Sequence, residues 1–193
     1  MIKTTNFSNY IQCFHQVEQT ISLLALGCGK LVMEKLIQPK IILAVDWADD
    51  ILRLHIGDPT VIPMKADITD VCRLFPEGSF GTVTLFDVLE HLTKEDALSL
   101  LKQVERVCSG QIVLFIPIED DTVTDKEREN YKKLQQGLKD SGKQLGYHLS
   151  KWTVTELEEL GFVGEYSERY HKNSKYPIQR GWGACFCVKK IKK

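Results

Sequence analysis

Five short apolar runs recur over the first part of the chain, at residues 21–26, 40–45, 61–66, 81–86 and 111–116, and a polar or turn-forming stretch follows each. Runs that are apolar at nearly every position, rather than at every second one, predict strands buried on both faces of a sheet. Helical spacing falls between them, at 33–37 and at 94–107, where Leu98, Leu101, Val104 and Val107 are predicted to share a face. Thr93 offers a hydroxyl cap and Glu95 and Asp96 put acids in the first turn, so the second helix is expected to begin there. Strands alternating with crossovers predict a mainly parallel sheet.

The rhythm breaks at 118–149, a polar and highly charged stretch with no convincing strand. Lying after the fifth strand, it reads as an insertion over one sheet edge, where a lid or substrate-selecting element would sit; a solvated loop is the plainer alternative. A helix is predicted at 150–160, ended by Gly161 in a left-handed cap. Strands at 162–170 and 182–191, joined by a loop holding Pro177 and Gly181, should pair antiparallel. At 193 residues the chain is expected to form a single domain over 1–193.

Composition narrows the function classes. The formal net charge of -1 argues against affinity for nucleic acid driven by a positive field, and the lysines of the carboxyl-terminal tail read as solvated. No run of apolar residues is long enough to span a membrane and the amino terminus lacks the apolar core of a signal peptide, so a cytoplasmic protein with no membrane partner is expected. Six cysteines, at 13, 28, 72, 108, 185 and 187, include no CxxC pair, which predicts buried free thiols.

In an open parallel sheet, ligands bind beyond the carboxyl ends of the strands. Those ends carry Gly27-Cys28-Gly29 after the first run, Asp46 after the second, Asp67 after the third and Asp87 after the fourth. Glycines there admit a ligand close to the backbone. Asp46 could accept both hydroxyls of a ribose or simply cap the next helix, and Asp67 could accept from an adenine amine or be a turn aspartate. A dinucleotide fingerprint would need glycine at Val32, and a phosphate loop would need a hydroxyl residue at Leu31. A nucleoside ligand without phosphate, such as S-adenosylmethionine, fits these constraints.

Residues 23–29 (LLALGCG) and 80–92 (FGTVTLFDVLEHL) resemble the first and fourth-strand motifs of class I S-adenosylmethionine-dependent methyltransferases, and 111–117 (QIVLFIP), 148–153 (HLSKWT) and 157–162 (LEELGF) follow the same family in order and spacing. The resemblance covers roughly residues 20–190. It implies a three-layer, Rossmann-like α/β fold: a seven-stranded, mostly parallel sheet with the last strand antiparallel. It implies S-adenosyl-L-methionine as cofactor, with Leu26, Gly27, Cys28 and Gly29 beside its methionine part, Asp46 on the ribose, Asp67 on the adenine amine, Trp47 and Ile68 flanking the adenine, and Asp87 and Val88 near the methionine end. The family usually has an acid where Ala25 stands and a third glycine near Leu31. A catalytically inactive, cofactor-binding relative is therefore the alternative to a methyltransferase.

A sulfonium methyl is already activated, so the protein has mainly to align the acceptor and exclude water. For a hydroxyl acceptor His91 is the candidate base, and Tyr147, His148 and Trp152 are candidates for the acceptor side; each also has a plain packing reading. A small-molecule or sugar-like acceptor is expected, and the protein should be a monomer or homodimer. Asp87, Glu90 and His91, spaced D-x-x-E-H, resemble the acidic and histidine cluster of ubiquinone-biosynthesis O-methyltransferases, which implies a divalent cation there; the plainer reading, which assigns no metal, puts Asp87 beside the methionine end of the cofactor and Glu90 and His91 at a helix start.

Overall fold

The computed structural model describes residues 1–118, 129, 130, 133, 148–173 and 182–191. Eight strands form one sheet: β1 (Ile2–Thr4), β2 (Ser22–Leu26), β3 (Ile41–Asp46), β4 (Val61–Lys65), β5 (Phe80–Phe86), β6 (Cys108–Ile118), β7 (Val163–Ser167) and β8 (Gly183–Lys190). Their order across the sheet is β1-β7-β8-β6-β5-β2-β3-β4. Every pairing is parallel except those of β8, which runs antiparallel to both β6 and β7. The sheet thus has eight strands where seven are implied by the sequence. The extra one is β1, a three-residue edge strand paired with β7 (Ile2 opposite Gly164), too short to show a periodicity.

The central strands alternate between two cores, as expected for strands covered on both faces. From β2, Leu24 and Leu26 face the side that holds α3 (Lys94–Val107), while Leu23 and Ala25 face a separate cluster with Leu31, Ile37 and Leu52. Cys185 and Cys187 of β8 lie together on the α3 side, and Phe186 between them enters an aromatic cluster with Phe7, Phe86 and Phe115. All six cysteines are free and buried.

Helix α3 begins where Thr93 caps it, the hydroxyl accepting from the Asp96 N–H. Its inward face is Ala97, Leu100, Leu101, Val104 and Val107, not the stripe through Leu98, which is exposed. Leu98 lies one residue, about 100° of helix rotation, beyond Ala97 and so turns away from the sheet. The 33–37 segment is a single 3-10 turn, Glu34–Ile37. Short helices α1 (Asp49–Arg53) and α2 (Ile68–Val71) follow β3 and β4. Helix α4 (Val154–Glu159) opens with a full capping box between Thr153 and Glu156, and Gly161 ends its turn at a φ of 87°. Nearly all of the 118–149 insertion, Tyr147 included, lies outside the described residues. Among the described residues no helix is long and apolar enough to cross a membrane.

Candidate active site

The chain leaves β2 toward β3 and β4 on one side, and β5 with β6 stands on the other. The carboxyl ends of β2 and β5 therefore flank the point where strand order reverses, the place where open α/β sheets bind ligands.

On the β2–β3 side, Gly27 and Gly29 both hold left-handed backbone, with φ of 64° and 49°. A side chain on Gly27 would strike Val88, 2.8 Å from the Cγ2, so the two strand-end loops touch there. Among the described residues, its chain neighbours aside, no atom lies within 4 Å of the place a Gly29 side chain would fill, leaving open space beside the backbone. Asp46 ends β3 nine-tenths buried, and its carboxylate accepts from the Gly29 N–H (3.4 Å) and the Ala48 N–H (3.0 Å). Each oxygen keeps a further lone pair, so the group can still accept from a diol. Trp47 is exposed beside it. Gly29 is held from behind, its carbonyl accepting from the buried His55 Nε2 at 2.7 Å.

Leu26 and Cys28 point into the core, so only their backbone borders the cradle. Burial, with the negative charges of Asp46 and Glu34 nearby, pushes the Cys28 thiol up to about 12. Leu31 takes a glycine-like, left-handed conformation itself (φ 54°) and is buried. Asp67 serves as a helix cap: one oxygen accepts from the N–H and the hydroxyl of Thr69 (2.9 and 2.7 Å). Ile68 follows at the start of α2, partly buried against the main core.

On the β5 side, Asp87 also sits at a left-handed φ, 53°, with its N–H donating to the Phe115 carbonyl (2.9 Å). Burial pushes its carboxyl up to about 6, opposed by His148. The chain then makes one 3-10 turn, Leu89–His91, that carries the buried Glu90 and the half-buried His91. The His91 and His148 rings meet edge to face at 5.1 Å, and His148 lies 5.1 Å from the Trp182 ring. Residues 57 apart in sequence are held together by backbone: the Glu90 carbonyl accepts from the N–H groups of Leu149 and Ser150. The Ser150 hydroxyl donates to the Leu89 carbonyl and accepts from the Trp152 indole N–H.

That last bond corrects the expectation for Trp152. Its ring is buried in the main core beneath the Lys94 ammonium, 3.6 Å from the ring centre, because the indole N–H finds its acceptor inside; it positions the His148 segment and does not line the acceptor side. Tyr147 lies outside the described residues. The sequence reading missed His55, Tyr170 and Trp182. Tyr170 lies near enough that Asp87 helps burial push its phenol up to about 12. No local motif marks these residues.

Residues 24–116 match the family model described as "Methyltransferase domain". No curated protein matches the sequence. Solved structures do: a candidate methyltransferase from Bacillus halodurans is 15% identical, with TM-score 0.61 over 97% of this chain and 100% of its own. An arsenic(III) S-adenosylmethionine methyltransferase from Chlamydomonas reinhardtii is 16% identical, with TM-score 0.57 over 90% of this chain and 64% of its own. An O-methyltransferase family protein from Burkholderia thailandensis is 15% identical, with TM-score 0.53 over 90% of this chain and 52% of its own. Residues 24–116 thus resemble a methyltransferase domain, and the chain as a whole shares the fold of these methyltransferase structures.

Proposed function

We propose that the protein transfers a methyl group from S-adenosyl-L-methionine to a hydroxyl of a small-molecule or sugar-like acceptor. The open space at Gly29 beside the Asp46 carboxylate supports the cofactor half of this reading. In it, Asp46 accepts from the ribose diol, Trp47 covers the adenine, and the turned backbone at 27–29 meets the amino-acid end. The acceptor half rests on one observation: two imidazoles, His91 and His148, stand together on the far side of Asp87.

The sulfonium supplies an activated methyl, so the chain's own work is alignment and proton handling. His91, partly open to solvent, is placed to take the proton of a hydroxyl presented beside it, and His148 packs on it to fix its ring. The relatives do not fix the acceptor, one being an arsenic(III) methyltransferase and another an O-methyltransferase family protein. The test is calorimetric titration with S-adenosylhomocysteine, then a screen of hydroxylated acceptors with labelled methyl donor. We expect product binding and label on an oxygen of a small acceptor. Failure to bind S-adenosylhomocysteine, or label only on nitrogen, sulfur or a macromolecule, would overturn the reading.

A further inference from the structure

We propose that His55 is a positioning residue for the cofactor turn, and that its imidazole, together with Asp46, sets the conformation of Gly29 in which S-adenosylmethionine is bound. The inference deepens the proposed function and rests on its cofactor half.

The turn after β2 holds both of its glycines at left-handed φ, 64° at Gly27 and 49° at Gly29. Glycine loses more backbone entropy than any other residue on being held in one conformation, so such a turn keeps its shape only if its peptide groups are tied down. Some of the ties run from backbone to backbone: the Cys28 N–H donates to the Val45 carbonyl (3.0 Å) and the Leu31 N–H to the Cys28 carbonyl (3.1 Å). At Gly29 itself the N–H reaches the Asp46 carboxylate at 3.4 Å, beyond the roughly 3.2 Å of ordinary N–H···O bonds, so Asp46 alone holds this residue loosely. The short bond is on the other side. The His55 Nε2 lies 2.7 Å from the Gly29 carbonyl oxygen, and because a carbonyl can only accept, the ring carries a proton on that nitrogen. Gly29 is thus gripped at both of its peptide groups, by a carboxylate at its N–H and by an imidazole at its carbonyl.

The imidazole is itself fixed. His55 is 4% exposed, its N–H donates to the Leu52 carbonyl (3.1 Å), and Leu52 belongs to the same core cluster as Leu31 and Ile37, which follow the glycine turn. Three residues on, the Asp58 N–H donates to the His55 carbonyl and the Asp58 carboxylate accepts from the Lys35 ammonium at 2.7 Å. The segment after α1 is therefore tied to the segment after β2 by packing, by an ion pair and by the His55–Gly29 bond. His55 touches no cofactor in this arrangement and acts through Gly29. Without it the Gly29 carbonyl loses its 2.7 Å partner, the peptide is free to rotate, and the open space beside Gly29 is no longer kept in register with the Asp46 carboxylate.

Calorimetric titration with S-adenosylhomocysteine compares the wild type with His55→Leu, His55→Gln and Val104→Ala, each accompanied by a urea melt. We expect His55→Leu to bind about 10-fold more weakly, the scale of one hydrogen bond. His55→Gln, whose side-chain amide can donate from nearly the place of the Nε2, should recover binding to within about threefold of the wild type. Val104→Ala removes packing from the core beneath α3, away from the glycine turn, and should be less stable while binding as the wild type does. His55→Met takes the place of His55→Leu if the latter does not fold. The assignment is overturned if folded His55→Leu binds as tightly as the wild type, if His55→Gln binds no better than His55→Leu, or if Val104→Ala loses as much affinity. Wild-type protein that binds no S-adenosylhomocysteine overturns the cofactor reading itself, and the role of His55 with it.

Discussion

The two halves of the catalytic edge are built in different ways. The cofactor half comes from the ends of adjacent strands β2 and β3: Gly27, Gly29 and Asp46 lie within 20 residues, and Asp46 is tied to the glycine turn by the Gly29 N–H. The half proposed for the acceptor joins the turn after β5 to a segment 57 residues later, through the Glu90 carbonyl and the Ser150 hydroxyl. One half is specified by strand order and local backbone conformation. The other exists only once distant segments have docked, so damage to it should spare cofactor binding.

The sharpest separation is Asp46→Ala. It removes the acceptor proposed for the ribose diol and leaves the N–H groups of Gly29 and Ala48 without their carboxylate. Two charge-assisted hydrogen bonds lost on binding should cost on the order of 2–4 kcal/mol, or about 30- to 1,000-fold in affinity for S-adenosylhomocysteine. His148→Ala should leave that affinity within about twofold. Calorimetry on both variants checks the pair: equal losses would show that the halves are one unit, and no loss in Asp46→Ala would remove it from the ribose site.

Leu31 tests what shapes the glycine turn. Its left-handed φ of 54° costs roughly 1–2 kcal/mol that glycine would avoid. Its buried side chain is worth more, since truncating a core leucine costs about 3–5 kcal/mol. Leu31→Gly should therefore be less stable by about 1–4 kcal/mol in urea melts while keeping its cofactor affinity. A stabilised Leu31→Gly would show that backbone strain outweighs the packing.

Glu34 makes stability depend on pH. Burial pushes its carboxyl up to about 7, against some stabilisation of the charged form by the N–H groups of Glu34 and Met33. Between an unfolded value of about 4.5 and a folded value of about 7, the native state keeps a proton that the unfolded chain sheds. The native protein therefore loses stability as pH rises through that window. The loss should be about 1–3 kcal/mol from pH 5 to 8, and Glu34→Gln should flatten it. A wild-type fall no steeper than the variant's would place the titration elsewhere.

How much the sequence reveals follows the same division. The five apolar runs, the glycine turn and Asp46 are visible because strand burial and turn geometry write themselves into consecutive residues. The strand β1 is not, because its three residues carry no period and form only by pairing with β7. Asp67 stands at the expected strand end, and one of its oxygens caps the next turn through Thr69, the helix-cap role that the sequence left open beside contact with the adenine. Glu90 and His148 could not be joined from sequence, since nothing in either segment names the other, and Trp152 resembled an acceptor-side residue until its indole N–H was found to bond within the core.

The smallest effect expected is also the one that best isolates the long-range tie. Ser150 is buried, and its hydroxyl serves both the Leu89 carbonyl (3.1 Å) and the Trp152 indole N–H (3.0 Å). Ser150→Ala keeps the volume nearly unchanged but strands a buried donor and removes one partner of a carbonyl, a loss of about 1–2 kcal/mol. The Ser150 N–H still donates to the Glu90 carbonyl, so the segment should remain attached, though less rigidly. A loosened His148 should then lower turnover several-fold while S-adenosylhomocysteine binds as before. Urea melts give the stability term, and titration of the same sample gives the affinity. If stability falls while turnover holds, Ser150 braces Trp152 alone, and the His148 segment is positioned by the Glu90 backbone without help from the core.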